Sequence, residues 1–438
     1  MQAVHNVVDV SRAIPFIGST AKEAAGAAAS AASASSSASS SGHLLTGGIQ
    51  TYLADALSSS SAVVPPACAA DATTATTTAI IAASPAAATP PTAEEISLLR
   101  EALAAFYGQP RDSNLALAKL DEALVAWQRQ PPDERAALYR VRGDVHLDLK
   151  LPRKAAEDYA TTITLLEGPG GEKADEGELP AARLGRARAL RGAFLSGAQT
   201  LTTDEWTDVA QDYQVALRLS SRDDYLDTPA EKEADGAQRN PYAAWEWGMA
   251  LRGAGLYEQA SETHTLAALA FKDIGDRARS IIAELDAGID LAAGSSDASY
   301  RDAKELLERA IPKTTGITSG ADVELLQRVI AKEGEARMAL ASILWNAGDQ
   351  SGAEKQLGEA CVRFDQLEAD NADREAARLK KGLVPVQKYN KVLFSIDDIP
   401  GAGGKVSCAR FKNDEFLTRT VEWPDSLRQK VQKLNKLG

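Results

Sequence analysis

The residues with the widest chemical repertoire in this 438-residue chain are four histidines and three cysteines. His5 and His43 lie in an Ala/Ser-rich stretch. His146 and His264 fall at interior positions of helical patterns, where a packed core histidine is the commoner outcome. No HExxH or Cys/His spacing surrounds them, so no metal site is expected. GAGGKV (401–406) has the look of a phosphate loop. However, Val406 stands where a magnesium-binding Ser or Thr is needed, and Ile399 where the first glycine belongs, so it reads as a turn. No Ser/His/Asp or Cys/His set has a context for nucleophilic catalysis. The expectation is a protein that is not an enzyme and holds no cofactor.

Charge recognition is the chemistry that remains. With 48 Lys plus Arg against 61 Asp plus Glu, the net charge is −13. Phosphate backbones are bound by clustered cations, so nucleic acid is excluded as a partner. Within this acidic chain Arg140 and Arg142 gather on one helical segment, and Arg183, Arg186, Arg188 and Arg191 on the next. A planar guanidinium captures carboxylates through two parallel hydrogen bonds. These six arginines are expected to bind an acidic segment of a protein partner; the competing reading pairs them with Glu and Asp of the chain itself.

The elements that position them come from residues 94–380, where apolar residues recur at i, i+3, i+4 and i+7 and breaks fall at Gly, Pro and Asp. In residues 135–167 Tyr139 and Gly143 are four apart, Ala155 follows twelve later, and Tyr159 four after that. This is the spacing of a 34-residue tetratricopeptide repeat, in which small residues let two helices cross closely. AEDY (156–159) is echoed by AQDY (210–213), placing Tyr213. Gly248 and Ala260, Gly288 and Ala303, and Ala353 (with Ala341 and Ala360) mark three further pairs. The fold class expected is all-α: a right-handed superhelical solenoid of tetratricopeptide-like helix pairs with a C-terminal capping segment. The stretches 168–180 and 222–241 read as exposed acidic loops. No eighteen-residue apolar run suggests a transmembrane span.

Residues 1–93 differ in kind. Residues 24–42 contain only Ala, Gly and Ser, and every aromatic residue except Phe16 and Tyr52 lies beyond residue 93. Too little apolar surface is present to offset conformational entropy, so disorder is expected. The Ser/Thr/Ala bias suggests a transit peptide; an Ala/Thr/Pro linker is the alternative.

Residues 381–438 leave the repeat pattern. Cys408, Arg410, Phe411, Lys412, Asn413, Phe416, Trp423 and Pro424, with a final amphipathic helix, resemble the C-terminal signature of plastid repeat proteins of the chloroplast (thylakoid) lumen common family. The stretch 336–361, ending at Cys361, resembles that family's last repeat. The resemblance implies a plastid protein, lumenal or thylakoid-associated. It would bind or assemble proteins around thylakoid complexes, and the acidic partner would be a subunit of such a complex. An oxidising lumen would allow a disulfide between Cys361 and Cys408; in the stroma or cytosol both would be reduced. The alternatives are a cytosolic or stromal adaptor that binds an acidic peptide, or a structural subunit of a larger complex. Trp423 and Pro424 would anchor and start the cap, Leu427, Val431, Leu434 and Leu437 would form its apolar stripe, and Arg428, Lys430, Lys433 and Lys436 its basic faces. Peripheral membrane contact through those faces is the alternative use.

Overall fold

Thr92 opens the first described helix with a capping box: its hydroxyl accepts from the Glu95 amide, and the Glu95 carboxylate accepts from the Thr92 amide. These bonds satisfy donors that a helix start otherwise leaves orphaned. The computed structural model describes residues 91–168, 177–221, 226–317, 323–380, 411 and 413–434. Several expectations therefore lie outside the described residues: all but the end of segment 1–93, most of the loop 168–180, the turn GAGGKV, Cys408, Arg410 and Lys412. Every element of the described residues is helical, with no strand among them, and consecutive helices pack on one another. The chain divides into two compact units, the boundary falling between Ala189 and Leu190.

The first unit comprises α1 (Ala93–Tyr107), α2 (Ser113–Ala126), α3 (Pro132–Asp148), α4 (Pro152–Glu167) and the greater part of α5 (Glu178–Leu195). Helix α1 packs on α2, α2 on α3 and α3 on α4. Leu99, Leu103, Leu120, Trp127, Leu138 and Val145 form a core, each large side chain contributing on the order of 2 kcal/mol by leaving water. Gly143, Ala155 and Tyr159 are buried as the repeat spacing requires, while Tyr139 is half-buried beneath Arg142.

The second unit holds the end of α5 and then α6 (Thr203–Leu219), α7 (Pro229–Arg239), α8 (Pro241–Gly253), α9 (Tyr257–Asp273), α10 (Arg277–Ala293), α11 (Asp297–Ala310), α12 (Val323–Asn346), α13 (Gln350–Lys380) and α14 (Asp425–Leu434). The expected pairs fall on α8–α9, α10–α11 and α12–α13, and Tyr213, Gly248, Ala260, Gly288, Ala303 and Ala353 are all buried. Helix α10 also packs on α12, and α14 on both α10 and α12.

One expectation is corrected. Residues 229–239 are a helix, not part of an exposed loop. Thr228 and Glu231 form a second reciprocal box, Pro229 sits in the first turn, and α7 packs on α6 and α9. Gly236 meets the Leu217 backbone so closely that no Cβ would fit. The capping signature T-P-A-E was present; the charge of the stretch concealed it.

Candidate functional site

In the first unit the Tyr159 ring is wedged between two glycines. A Cβ on Gly143 of α3 would stand 3.0 Å from that ring, and one on Gly185 of α5 only 2.5 Å away. The Tyr159 hydroxyl donates to Asp144 at 2.6 Å, and Asp144 also accepts from Arg140 at 3.0 Å. Arg140 reaches on to Glu178 of α5. Burial opposes the Arg140 charge, but Glu178 and Asp144 outweigh it and hold its pKa up. Burial also raises the Asp144 carboxyl, against the pull of Arg140. The nearby Tyr107 phenol is pushed up to about 12 by burial and then by the Asp144 charge.

Arg142 turns the other way. It donates to both oxygens of the buried Asp158 in α4, at 3.1 and 2.6 Å, and to Asp121 in α2 at 2.7 Å. His146 Nδ1 stands 2.8 Å from the same Asp158. Arg183 pairs with Glu167, and Arg186 and Arg188 are engaged as well. Two carboxylates in this row are themselves open to solvent: Asp121 at 56% and Glu167 at 45% side-chain exposure.

In the second unit Arg191 is almost fully buried and receives Glu422, 231 residues away, through two parallel bonds, the Nε one at 2.8 Å. Its guanidinium also lies 5.7 Å from the centre of the Trp245 ring. Burial works against the Arg191 charge, and Glu422 more than restores it. Around that pair the segment 411–434 is anchored at two helix ends. Arg419 donates to the carbonyls of Phe194, in the last turn of α5, and Gln199, beyond it. Lys430 donates to Ala292 and Gly294 at 2.7 and 2.5 Å, and Ser426 to Ala293 at 2.9 Å, all at the end of α10. Trp423 and Phe411, with ring centres 5.3 Å apart, sit in the same core as Leu340 and Phe364.

The amphipathic reading of this segment needs one correction. Lys430 is buried, not on a solvated basic face, because its ammonium caps a helix C-terminus whose carbonyls lack internal partners. Pro424 stands at the start of the final helix, at its N-cap, its carbonyl accepting from Leu427 and Arg428. Leu437 and Lys436 lie outside the described residues. Cys361 is disulfide-bonded; the proposed partner, Cys408, lies outside the described residues.

A further ionic cluster, unforeseen from the sequence, is sealed inside the second unit. Arg252, Asp286, Asp290 and His264 have no solvent exposure. Arg252 donates to Asp290 at 2.5 Å and Asp286 at 3.0 Å; His264 Nδ1 lies 2.6 Å from Asp290 and its Nε2 3.1 Å from the Trp245 carbonyl. Lys332 joins Asp286 to Glu335. Burial would raise Asp286, yet Lys332, Arg252 and His264 hold it far below the usual carboxylate range. Each charged side chain faces an opposite charge, although the buried Arg252 Nη1 donates to nothing, and the cluster reads as structural. The only signal of it was Asp at helical spacing on α10.

No group of three or more potential metal ligands occurs among the described residues, and none of their helices is long and apolar enough to cross a membrane. No protein-family model and no curated protein matches the chain.

Proposed function

We propose that this chain is a non-enzymatic protein-binding scaffold or assembly factor. In this reading the hairpins of each unit are tetratricopeptide-like turns of a right-handed superhelical solenoid, and the first helices of successive hairpins line the binding face. The observation that carries it is the bidentate hold of Arg191 on Glu422, a carboxylate brought from a distant segment. The arginine row is thus of a kind that captures acidic side chains. Arg142 and Arg183 support the same reading, since each keeps a half-exposed carboxylate that an incoming one can replace with little loss.

The likeness of residues 406–437 to the chloroplast lumen common family supports a plastid setting, with acidic segments of thylakoid complex subunits as partners. A disulfide at Cys361 is compatible with an oxidising lumen. Affinity capture with the full chain from plastid extract tests the function. Recovery of thylakoid complex subunits, reduced when Arg183 and Arg186 are changed to Gln, is expected. Recovery of soluble metabolic enzymes alone would contradict it. N-terminal sequencing of the native protein separates this reading from a cytosolic adaptor, which would retain residues 1–93.

A further inference from the structure

The segment 411–434 is seated differently from a cap confined to the last hairpin. It reaches α12, the end of α10 and the end of α5. Its anchors are two cations on backbone carbonyls at or just beyond helix ends, one carboxylate on a buried arginine, and an apolar stripe of Trp423, Leu427, Val431 and Leu434.

Three features of the seated segment work against its own binding. Glu422 reaches Arg191 with φ at +53°, in the left-handed region that costs a non-glycine residue free energy. The Trp423 Nε1–H is buried with no hydrogen-bond partner. The Lys430 ammonium is buried on carbonyls and the Tyr300 ring with no carboxylate beside it among the described residues. Residues 381–410, and any disulfide between Cys361 and Cys408, keep it attached to α13. It can therefore leave its seat and stay tethered.

We propose that residues 411–434 are a tethered, displaceable occupant of a docking site on the second unit. The external ligand of that site is a protein segment of the same chemistry: a carboxylate next to an aromatic residue, then a short amphipathic helix, with a cation on either side. The partner gains Arg191 and the two helix ends as the tail gives them up. This inference rests on the protein-binding reading and specifies where and what the scaffold binds.

The test uses the full chain with Arg419→Gln and Glu422→Gln together, and a fluorescein-labelled synthetic peptide of residues 411–434 as the probe. In trans the peptide competes against a tethered copy, so it binds the wild-type chain weakly. Loosening two charge-assisted anchors is expected to raise peptide affinity at least about tenfold, and to speed tryptic cleavage after Arg428 by a similar factor. Adding Arg191→Glu to the loosened chain is expected to abolish binding, and a peptide carrying Glu422→Lys to restore it. The proposal is overturned if the loosened tail is cut no faster than wild type, if a released tail leaves a chain that does not bind the peptide, or if the loosened chain loses its helical circular dichroism. If thylakoid subunits are captured equally by both chains, the inference falls and the protein-binding reading stands. If the peptide behaves as expected and capture recovers no such subunit, the reverse holds.

Discussion

Tyr159 in the first unit and His264 in the second occupy the same place in their hairpins, sixteen residues after a glycine whose missing Cβ makes room for the ring. Beyond the ring the two regions part. Tyr159 ends on Asp144, whose partner Arg140 reaches Glu178, a carboxylate that keeps 26% of its side chain exposed. His264 ends on Asp290 in a cluster with no exposure at all. The comparison separates two requirements. Nesting needs only a small residue opposite a large one. The chemistry at the ring's tip is free to vary, and burial sets how much depends on it, because a charge withdrawn from water must be paired.

The largest expected effect sits in the sealed cluster. Asp290→Ala leaves Arg252 and His264 buried without their shared carboxylate and should destabilise the second unit by about 3–5 kcal/mol. The matching Asp158→Ala in the first unit, where Arg142 retains Asp121 and solvent, should cost about 1–3 kcal/mol. Urea unfolding of both variants checks the order; equal losses would erase the distinction.

Next come the glycines. Gly248→Ala places a Cβ 2.6 Å from the His264 ring, which hydrogen bonds on both sides prevent from moving. A loss of about 1–3 kcal/mol is expected. Gly143→Ala, at 3.0 Å from Tyr159, should lose less than about 1 kcal/mol, since alanine's helix preference offsets part of the strain. Thermal melts of the pair decide it.

A smaller effect concerns pH. Burial, with some help from Lys433, pushes the Lys430 ammonium from 10.5 down to about 8. Between those values the unfolded chain holds the extra proton, so stability of the second unit should rise by on the order of 1 kcal/mol from pH 8 to 10.5 and be insensitive to this group below 8. Lys430→Met should remove that rise, measured by denaturation across the range. The smallest effect is at the open edge of the first unit. Asp121→Asn loses an ion pair that is half in water and should shift stability by less than about 0.5 kcal/mol; a larger shift would show this edge to be as dependent on pairing as the sealed cluster.

The helix pairs were legible because close crossing demands small residues at fixed offsets, and Gly143, Ala155, Gly248 and Ala260 are buried as that demand requires. The ion pairs were not. Arg252 and Asp290 stand 38 positions apart, and Arg191 and Glu422 231, so nothing local distinguishes them from solvated charges. Lys430 was misplaced for a related reason: helical periodicity assigns a cation to the wet face, whereas here its partner is the end of another helix. Of the arginine row, the sequence marked the residues and left their occupants open. Four of the six have intramolecular partners shown directly, and the other two are also engaged.

The nesting of rings into glycine hollows underlies the scaffold, and a double-mutant cycle at Gly143 and Tyr159 tests it most directly. With Tyr159→Leu in the background, Gly143→Ala should turn from costly to neutral or stabilising, giving a coupling of about 1 kcal/mol or more. Strict additivity of the two substitutions would contradict it.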